Sequence, residues 1–431
     1  MDKVPTRLYS KTPYWRAAKS MVYDTYGDLF ERFSSVTSND EVILRLNLAA
    51  SGGVPWTRYG LISKRDCLND AQFRKYLHEL YANPSISKPV WRVSGKIEWY
   101  PAEKLDANKV RTFIVPPFHL LWYQVKLYLG QNNSMKMFHW SAYGFNPYMG
   151  GTHNLAQRLL INKIFLFYDA VGWDRVLPVL KTVYKLRNNF GPPCEGIREW
   201  VTQNTVESFL LMAGGEIVKK EVGNNSGSGN TTNDNILAHD LIADYSLLHL
   251  FGGDSDKVES CEAALFGDDN AMSIPDPGMS YDDVEKVFRE AFSHFGMELD
   301  PFHIQDTLEG VEFLGFKFHL HEGFWIPQYN QARLISSFCY DYESKLTDAK
   351  SISKSWTLTV MAAGGDRDIF EFMSRTVQHY CDLLVDSTCP TVQAFVMLGA
   401  PQYLESVRFL SGVECGPIIT LFDFEYASTL R

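Results

Sequence analysis

The chain has 431 residues, 45% hydrophobic and 14% aromatic, which supports a large core with two or three subdomains and excludes a disordered protein. A net charge of −10 argues against nucleic acid as a partner until it is divided along the chain: residues 1–160 hold 21 Lys and Arg against 12 Asp and Glu, and residues 161–431 hold 20 against 39. A basic half suited to phosphates thus precedes an acidic half suited to metal. No stretch has the length of a membrane span, and no secretory leader opens the chain. Its seven cysteines are scattered with no C-x-x-C pair, which points to a reduced, cytosolic protein without structural zinc.

Residues 1–90 read as mixed, with a helix over 70–81 and a Gly-rich loop at Ser51-Gly52-Gly53-Val54-Pro55. Lys96, Lys104, Lys109 and Arg111 put four cations within sixteen residues, interleaved with Trp99, Tyr100 and Phe113. The pattern suits a phosphate channel backed by aromatic faces, and also a solvated basic strand pair. Residues 114–160 are aromatic-rich, with a helix expected over 118–129, and offer no chemistry. Ile164 to Tyr168 is a continuous apolar run ending at Asp169, as in a buried central strand with a carboxylate at its tip. Asp174 follows, and a helix is expected over 175–184 with Pro178 confined to its first turn. Residues 190–220 read as an insertion opened by the breaker Gly191-Pro192-Pro193.

The Gly, Ser and Asn composition of 223–233 is that of a linker, yet 235–250 continues directly with apolar Ile236, Leu237, Leu241, Leu247 and Leu248. The segment is therefore a Gly-rich loop feeding a helix, its N–H groups and hydroxyls turned to an anion or sugar. Apolar residues on both sides of Gly267-Asp268-Asp269 read as a β-hairpin. Alone, that tripeptide is a common solvated turn; two adjacent carboxylates at a hairpin tip also repel each other and lose hydration, which calls for a cation. An amphipathic helix is expected over 281–295, a strand over 310–318 through Phe313-Leu314-Gly315, and mainly helices over 331–431.

Strand-Asp169, helix, hairpin, helix and strand make a β-α-β-β-α-β order, the split βαβ arrangement of an antiparallel sheet backed by helices. It can set Asp169 beside Asp268 at neighbouring strand ends although 99 residues separate them. Shared carboxylates of that kind hold two metals about 3.5–4 Å apart, the geometry of an in-line phosphoryl transfer.

With these segments in order, the chain resembles the RNA-dependent RNA polymerases of positive-strand RNA viruses, nearest to the picornavirus-like and astrovirus-like groups. Asp169-x-x-x-x-Asp174 resembles motif A, Ser226-Gly227-x-x-x-Thr231-x-x-x-Asn235 motif B, and Gly267-Asp268-Asp269 motif C. Lys96, Glu98, Lys104 and Arg111 stand at motif F spacing, Ser51-x-Gly53-x-Pro55 resembles motif G, and Phe313-Leu314-Gly315 motif E. The likeness spans about 50–320, and its A-B-C triplet is the specific part.

The resemblance implies an α+β right-hand polymerase with a split βαβ antiparallel palm sheet and a mostly helical thumb. Fingers would be 1–160 with an insertion at 191–222, palm 161–190 (motif A) and 223–330 (motifs B to E), and thumb 331–431. Asp169 and Asp268, with Asp269 in support, would hold two Mg²⁺, with Mn²⁺ as a substitute. Asp174 and Asn235, helped by Ser226, Gly227 and Thr231, would recognise the ribose 2′-OH, the group that separates RNA from DNA. Lys96, Lys104 and Arg111 would hold the incoming triphosphate, Ser51, Gly53 and Pro55 would guide template, and Lys317 would touch the growing strand.

One position departs from the family. The motif D lysine that protonates the leaving pyrophosphate has no counterpart in residues 296–304, where His303 is the nearest ionisable group; it suits a general acid near neutral pH, and equally a packed histidine. The implied partners are RNA template, nascent RNA, NTPs, a protein primer and other viral replication proteins. The implied setting is host cytoplasm at membrane-attached complexes, with Met1 either a true start or the edge of a polyprotein product. Two rivals remain: a reverse transcriptase, which would favour dNTPs and place a steric block where Asp174 and Asn235 stand, and a non-catalytic palm-fold RNA-binding scaffold, which would bind RNA without synthesis.

Overall fold

The computed structural model describes residues 8–96, 111–340 and 347–413. The chain folds into two units, one of Met1–Tyr143, Tyr168–Asn270 and Asp276–Phe302, the other of Gly144–Phe167, Ala271–Pro275 and His303–Arg431. Its strands are β1 (Val90–Gly95), β2 (Thr112–Val115), β3 (Ile164–Ala170), β4 (Ser208–Leu211), β5 (Ile217–Lys220), β6 (Glu262–Phe266), β7 (Asp269–Ile274), β8 (Leu299–Gln305), β9 (Glu312–Phe313), β10 (Phe316–His321) and β11 (Phe324–Tyr329). Candidate motif F residues Glu98 and Lys104, and the clustered cation Lys109, lie outside the described residues.

The first unit is built around the helix Thr231–Leu250, which is buried on every side and carries Asn233, Asp234, Asn235, His239, Asp240 and Asp244 inside the protein. A helix without a polar face has to be enclosed, and each buried polar group needs a partner. Arg187 supplies one: its Nε lies 2.7 Å from Asp234 Oδ1, with both side chains fully buried, and its guanidinium also stacks over Phe30 and Tyr128. Tyr26, on the N-terminal helix Pro13–Phe33, donates its hydroxyl to Asp240 at 2.6 Å. These bonds fix the neighbouring helices against the central one.

A four-stranded sheet in the order β2-β1-β4-β5 completes this unit. β1 pairs antiparallel with β2 and parallel with β4. A second four-stranded sheet has the order β6-β7-β3-β8, which puts the strand ending in Asp169 next to the one opening at Asp269, in the expected strand arrangement. β3 and β7 run antiparallel, with Ile164 opposite Ile274 and Leu166 opposite Met272. Helix Tyr281–Ser293 buries Val284, Phe288, Ala291 and Phe292 on one stripe and begins at an N-cap, Ser280, whose hydroxyl accepts from the Asp283 N–H.

In the second unit β9, β10 and β11 form an antiparallel sheet. Helices Asp348–Ala362, Arg367–Leu383, Pro390–Leu398 and Tyr403–Ser411 close on a core of Trp356, Phe370, Met373, Phe395 and Phe409. No described helix is long and apolar enough to cross a membrane.

Two expectations need correction. Residues 175–184 are not one helix: a turn over Trp173–Val176 stops, and a helix resumes at Leu180–Asn189. Pro178 has no N–H to donate and drives Leu177 out of the helical region, to ψ 111°. Residues 310–318 are not one strand either, because Leu314 and Gly315 take positive φ (51° and 76°) and turn β9 back onto β10. The insertion 190–220 contains a helix, Glu195–Val206, and the hairpin β4–β5.

Candidate active site

The hairpin tip fixes the first carboxylates. Residues Gly267 and Asp268 form the two-residue turn between β6 and β7, and Gly267 has φ +70°, which a tight hairpin demands of its first central residue and which only glycine adopts at little cost. Asp268 and Asp269 are therefore exposed at the tip, while Asn270 is buried behind them. Asp169 is exposed near the end of β3, between buried Tyr168 and Ala170.

Asp169 lies within reach of the Asp268 charge. The Asp169 carboxyl is held above its ordinary pKa by lost hydration and then by the charge of Asp268, with Asp300 adding and the Ala170 N–H opposing. Asp268 is exposed at its tip, yet the protein beneath removes enough water to push its pKa up, with Asp174 adding repulsion and Arg111 relieving it. Asp268 thus raises Asp169 and Asp174 raises Asp268, a crowding of negative charge that favours a cation. Among the described residues no three His, Cys, Asp or Glu side chains converge into a closed metal cage. A cation there would share its coordination between these carboxylates, water and substrate, as catalytic ions do.

Asp174 and Asn235 are bonded to each other. The Asn235 amide donates to Asp174 Oδ1 at 3.1 Å, and its carbonyl accepts from Asn224 at 2.9 Å. Asn235 is thereby held in one orientation, with the carboxylate of Asp174 beside it.

The loop before the central helix is locked by its own backbone: Thr231 Oγ1 donates to the carbonyls of Asn225 (2.8 Å) and Ser228 (3.0 Å). The Ser226 hydroxyl accepts from the Ile114 N–H at 3.2 Å. Gly227 lies so close to the chain that a Cβ there would come within 2.2 Å of the Ile114 carbonyl. The Ser51–Gly53 loop flanks the same segment: the Gly53 N–H donates to Ser51 Oγ, the Phe118 N–H donates to the Gly52 carbonyl, and a Cβ on Gly53 would meet the Pro116 carbonyl at 2.6 Å. The proposed template loop and sugar loop thus lean on one piece of backbone, Ile114–Phe118. Pro55 opens the short turn Trp56–Tyr59 as its N-cap.

Lys96 and Arg111 are joined where β1 and β2 end, the Lys96 N–H donating to the Arg111 carbonyl at 2.9 Å. His303 and Lys317 belong to the second unit. There His303 is exposed on β8 with its ring stacked on Phe167 at 4.5 Å, and Lys317 lies on β10 opposite Gln328 and Glu312.

Sequence reasoning missed two residues that hold this site. Lys220, at the end of β5, donates to the Asn224 carbonyl (2.9 Å), Asn225 Oδ1 (2.8 Å) and the Asp174 carbonyl (3.3 Å); burial lowers its pKa to about 8 against the pull of Asp174. His239 bonds to Tyr168 on β3 and to Gly267 in the β6–β7 turn. The signal for His239 was a polar residue in a helix with no polar face; Lys220, beside Lys219 on a largely exposed strand, carried none.

Comparison with known proteins then decides the family. The family model for viral RNA-dependent RNA polymerase matches residues 10–381, most of the chain. The chain belongs to that family. Its polymerases share a right-hand fold and generally use divalent cations, consistent with the mixed helix and sheet and the carboxylates described. The polymerase chain is 28% identical over 333 residues to the genome polyprotein of Plum pox potyvirus (strain El amar), covering 73% of this chain and 21% of that protein. It is 23% identical over 357 residues to non-structural polyprotein 1AB of Turkey astrovirus 1, covering 77% and 22%, and 27% identical over 322 residues to the genome polyprotein of Beet mosaic virus, covering 70% and 10%. The polymerase chain therefore spans about a fifth or less of these relatives.

Proposed function

We propose that the chain synthesises RNA on an RNA template, replicating a viral genome by attack of a primer 3′-oxygen on the α-phosphorus of an NTP with release of pyrophosphate. The observation that carries this reading is the sheet order β6-β7-β3-β8, which sets the strand bearing Asp169 beside the hairpin bearing Asp268, whose charge raises the Asp169 pKa, with the bonded pair Asp174–Asn235 alongside. Asp169 and Asp268, supported by Asp269, would hold two Mg²⁺, with Mn²⁺ as a substitute; bound there, the ions lower the cost of the attacking and leaving charges.

The remaining roles belong to the chain itself. Asn235 and Asp174 offer an amide and a carboxylate to a ribose 2′-OH, which can both donate and accept. Ser226, Gly227 and Thr231 keep the loop beside them in shape. Lys96 and Arg111, with Lys104, offset the triphosphate charge, and the attraction of Arg111 for Asp268 supports its nearness to the reacting centre. Ser51, Gly53 and Pro55 guide the template strand. His303, exposed on β8, donates the proton that pyrophosphate takes as it leaves.

In this reading 1–160 and 191–222 are fingers, 161–190 and 223–330 palm, and 331–431 thumb; the order β6-β7-β3-β8 supports the palm and the helical cluster around Trp356 the thumb. RNA, NTPs, a protein primer and other replication proteins would be its partners, at membrane-associated complexes in host cytoplasm after release from a polyprotein. Nucleotide incorporation on a primed RNA template by wild type and Asp268→Ala tests the function: full activity in the variant would remove the metal site.

A further inference from the structure

His239 lies one helical turn beyond Asn235 on the central helix and is fully buried. Its Nδ1 is 3.1 Å from the Gly267 carbonyl oxygen, and its Nε2 is 3.1 Å from the Tyr168 hydroxyl. A carbonyl only accepts, so Nδ1 carries the proton. Burial drives the imidazole pKa down to about 4, which leaves the ring neutral and makes Nε2 the acceptor for Tyr168. The ring also lies against Trp173, centroids 4.8 Å apart, next to Asp174.

Its two partners are the residues immediately before Asp169 and Asp268. A third bond closes the circuit: Asn270, just after Asp269, donates its side-chain amide to the Tyr168 carbonyl at 2.7 Å. Running from Tyr168 to His239, Gly267, along the turn to Asn270 and back to Tyr168, the loop of bonds carries Asp268 and Asp269 and closes on the carbonyl that immediately precedes Asp169. A histidine placed only to fill the core needs neither partner at these positions.

We propose that His239 is a positioning residue: it ties the β3 strand and the Gly267 turn to the helix that carries Asn235, and so sets the spacing of Asp169 and Asp268. The role rests on the polymerase reading above. It predicts that loss of the ring loosens the turn even without metal, and impairs cation use and turnover more than nucleotide binding.

Three variants of the full chain test it. His239→Leu removes both bonds, Tyr168→Phe removes only the hydroxyl bond, and His239→Asn places an amide N–H where Nδ1 stands. Two readouts are taken: amide hydrogen exchange of the peptide covering 263–272 in metal-free protein, and kcat, NTP KM and Mg²⁺ half-saturation on a primed template. His239→Leu should quicken exchange at the turn about tenfold or more, lower kcat by about tenfold or more and raise the Mg²⁺ requirement, with NTP KM changed by less than about twofold. His239→Asn should restore most of the turn protection and part of kcat, and Tyr168→Phe should fall between.

Unchanged exchange at the turn in His239→Leu would overturn the proposal. So would faster exchange spread evenly over the whole chain and unrelieved by His239→Asn, which is the behaviour of a core residue. If wild type itself incorporates no nucleotide, the polymerase reading fails, while the metal-free exchange still decides the role of His239.

Discussion

Asn235→Ala tests how this chain would tell ribose from deoxyribose. The substitution removes one bond to a carboxylate, 3.1 Å to Asp174, and one neutral bond, 2.9 Å from Asn224. A hydrogen bond to a charged group contributes about 1.5–3 kcal/mol, and every 1.4 kcal/mol or so is tenfold in an equilibrium or rate ratio. If that orientation is what presents Asp174 and the amide to the 2′-OH, kcat/KM for an NTP should fall about 10- to 100-fold. The matching dNTP has no such group and should change by less than about threefold, so discrimination collapses through the ribonucleotide alone. Single-nucleotide incorporation on a primed RNA template, with UTP against dUTP and CTP against dCTP, measures both. An unchanged ratio, or an equal fall for both sugars, would refute the reasoning. Because Asn235 is buried, thermal unfolding of the variant is measured alongside to confirm that it is folded at the assay temperature.

Other outcomes follow from the same structure. Asp234→Ala leaves Arg187 charged and unpaired in the interior and should cost about 3–5 kcal/mol in urea unfolding, whereas replacing both by apolar residues of similar volume should recover much of that; a loss below about 1 kcal/mol in the single variant would contradict the buried pair. Gly227→Ala forces the sugar loop off the Ile114 carbonyl and should raise NTP KM and lower kcat, while Gly196→Ala, in the helix Glu195–Val206 where the new Cβ meets only Pro84 at 3.9 Å, should leave incorporation unchanged. Asp169 and Asp268 have folded pKa values above the ordinary carboxylate value. What they contribute to stability is therefore present below that value and lost as pH rises through their folded values. Metal-free protein should accordingly lose melting temperature over that range, Mg²⁺ should restore it at neutral pH, and Asp268→Asn should flatten both responses in differential scanning fluorimetry.

Much of this site could be read in the sequence because its parts are local. An apolar run ending in an acid, a glycine opening a two-residue turn and a Gly-rich loop running into a helix each write their conformation into a few adjacent residues. The strand order then follows from chain order, and β3 does neighbour β7. What was not legible depends on contacts across long separations. His239 sits 28 residues from Gly267 and 71 from Tyr168, and nothing near it in the chain marks it as a bridge.

Lys220 has no local mark in the sequence; its three acceptors come from the Asn224–Asn225 bend and from the Asp174 carbonyl 46 residues away. The misread helix over 175–184 shows local preference overriding an apolar pattern, because Pro178 stops a segment whose side chains suit a helix. In retrospect the central helix carried a sign: polar residues, among them Asn233, Asp234, Asn235, His239, Asp240 and Asp244, appear on all sides, interleaved with apolar ones. Such a helix is enclosed, and its polar groups hold other elements in place.

The claim on which the rest depends is that acids from β3 and from the Gly267 turn share one cation site. Iron-mediated backbone cleavage tests this without any need for activity: Fe²⁺ replaces Mg²⁺, ascorbate and peroxide generate hydroxyl radicals at the bound ion, and the fragments are mapped by mass spectrometry. The account predicts cuts within a few residues of both Asp169 and Asp268, suppressed together by excess Mg²⁺ and lost together in Asp268→Asn. Cleavage at one segment without the other, or at neither, would contradict it.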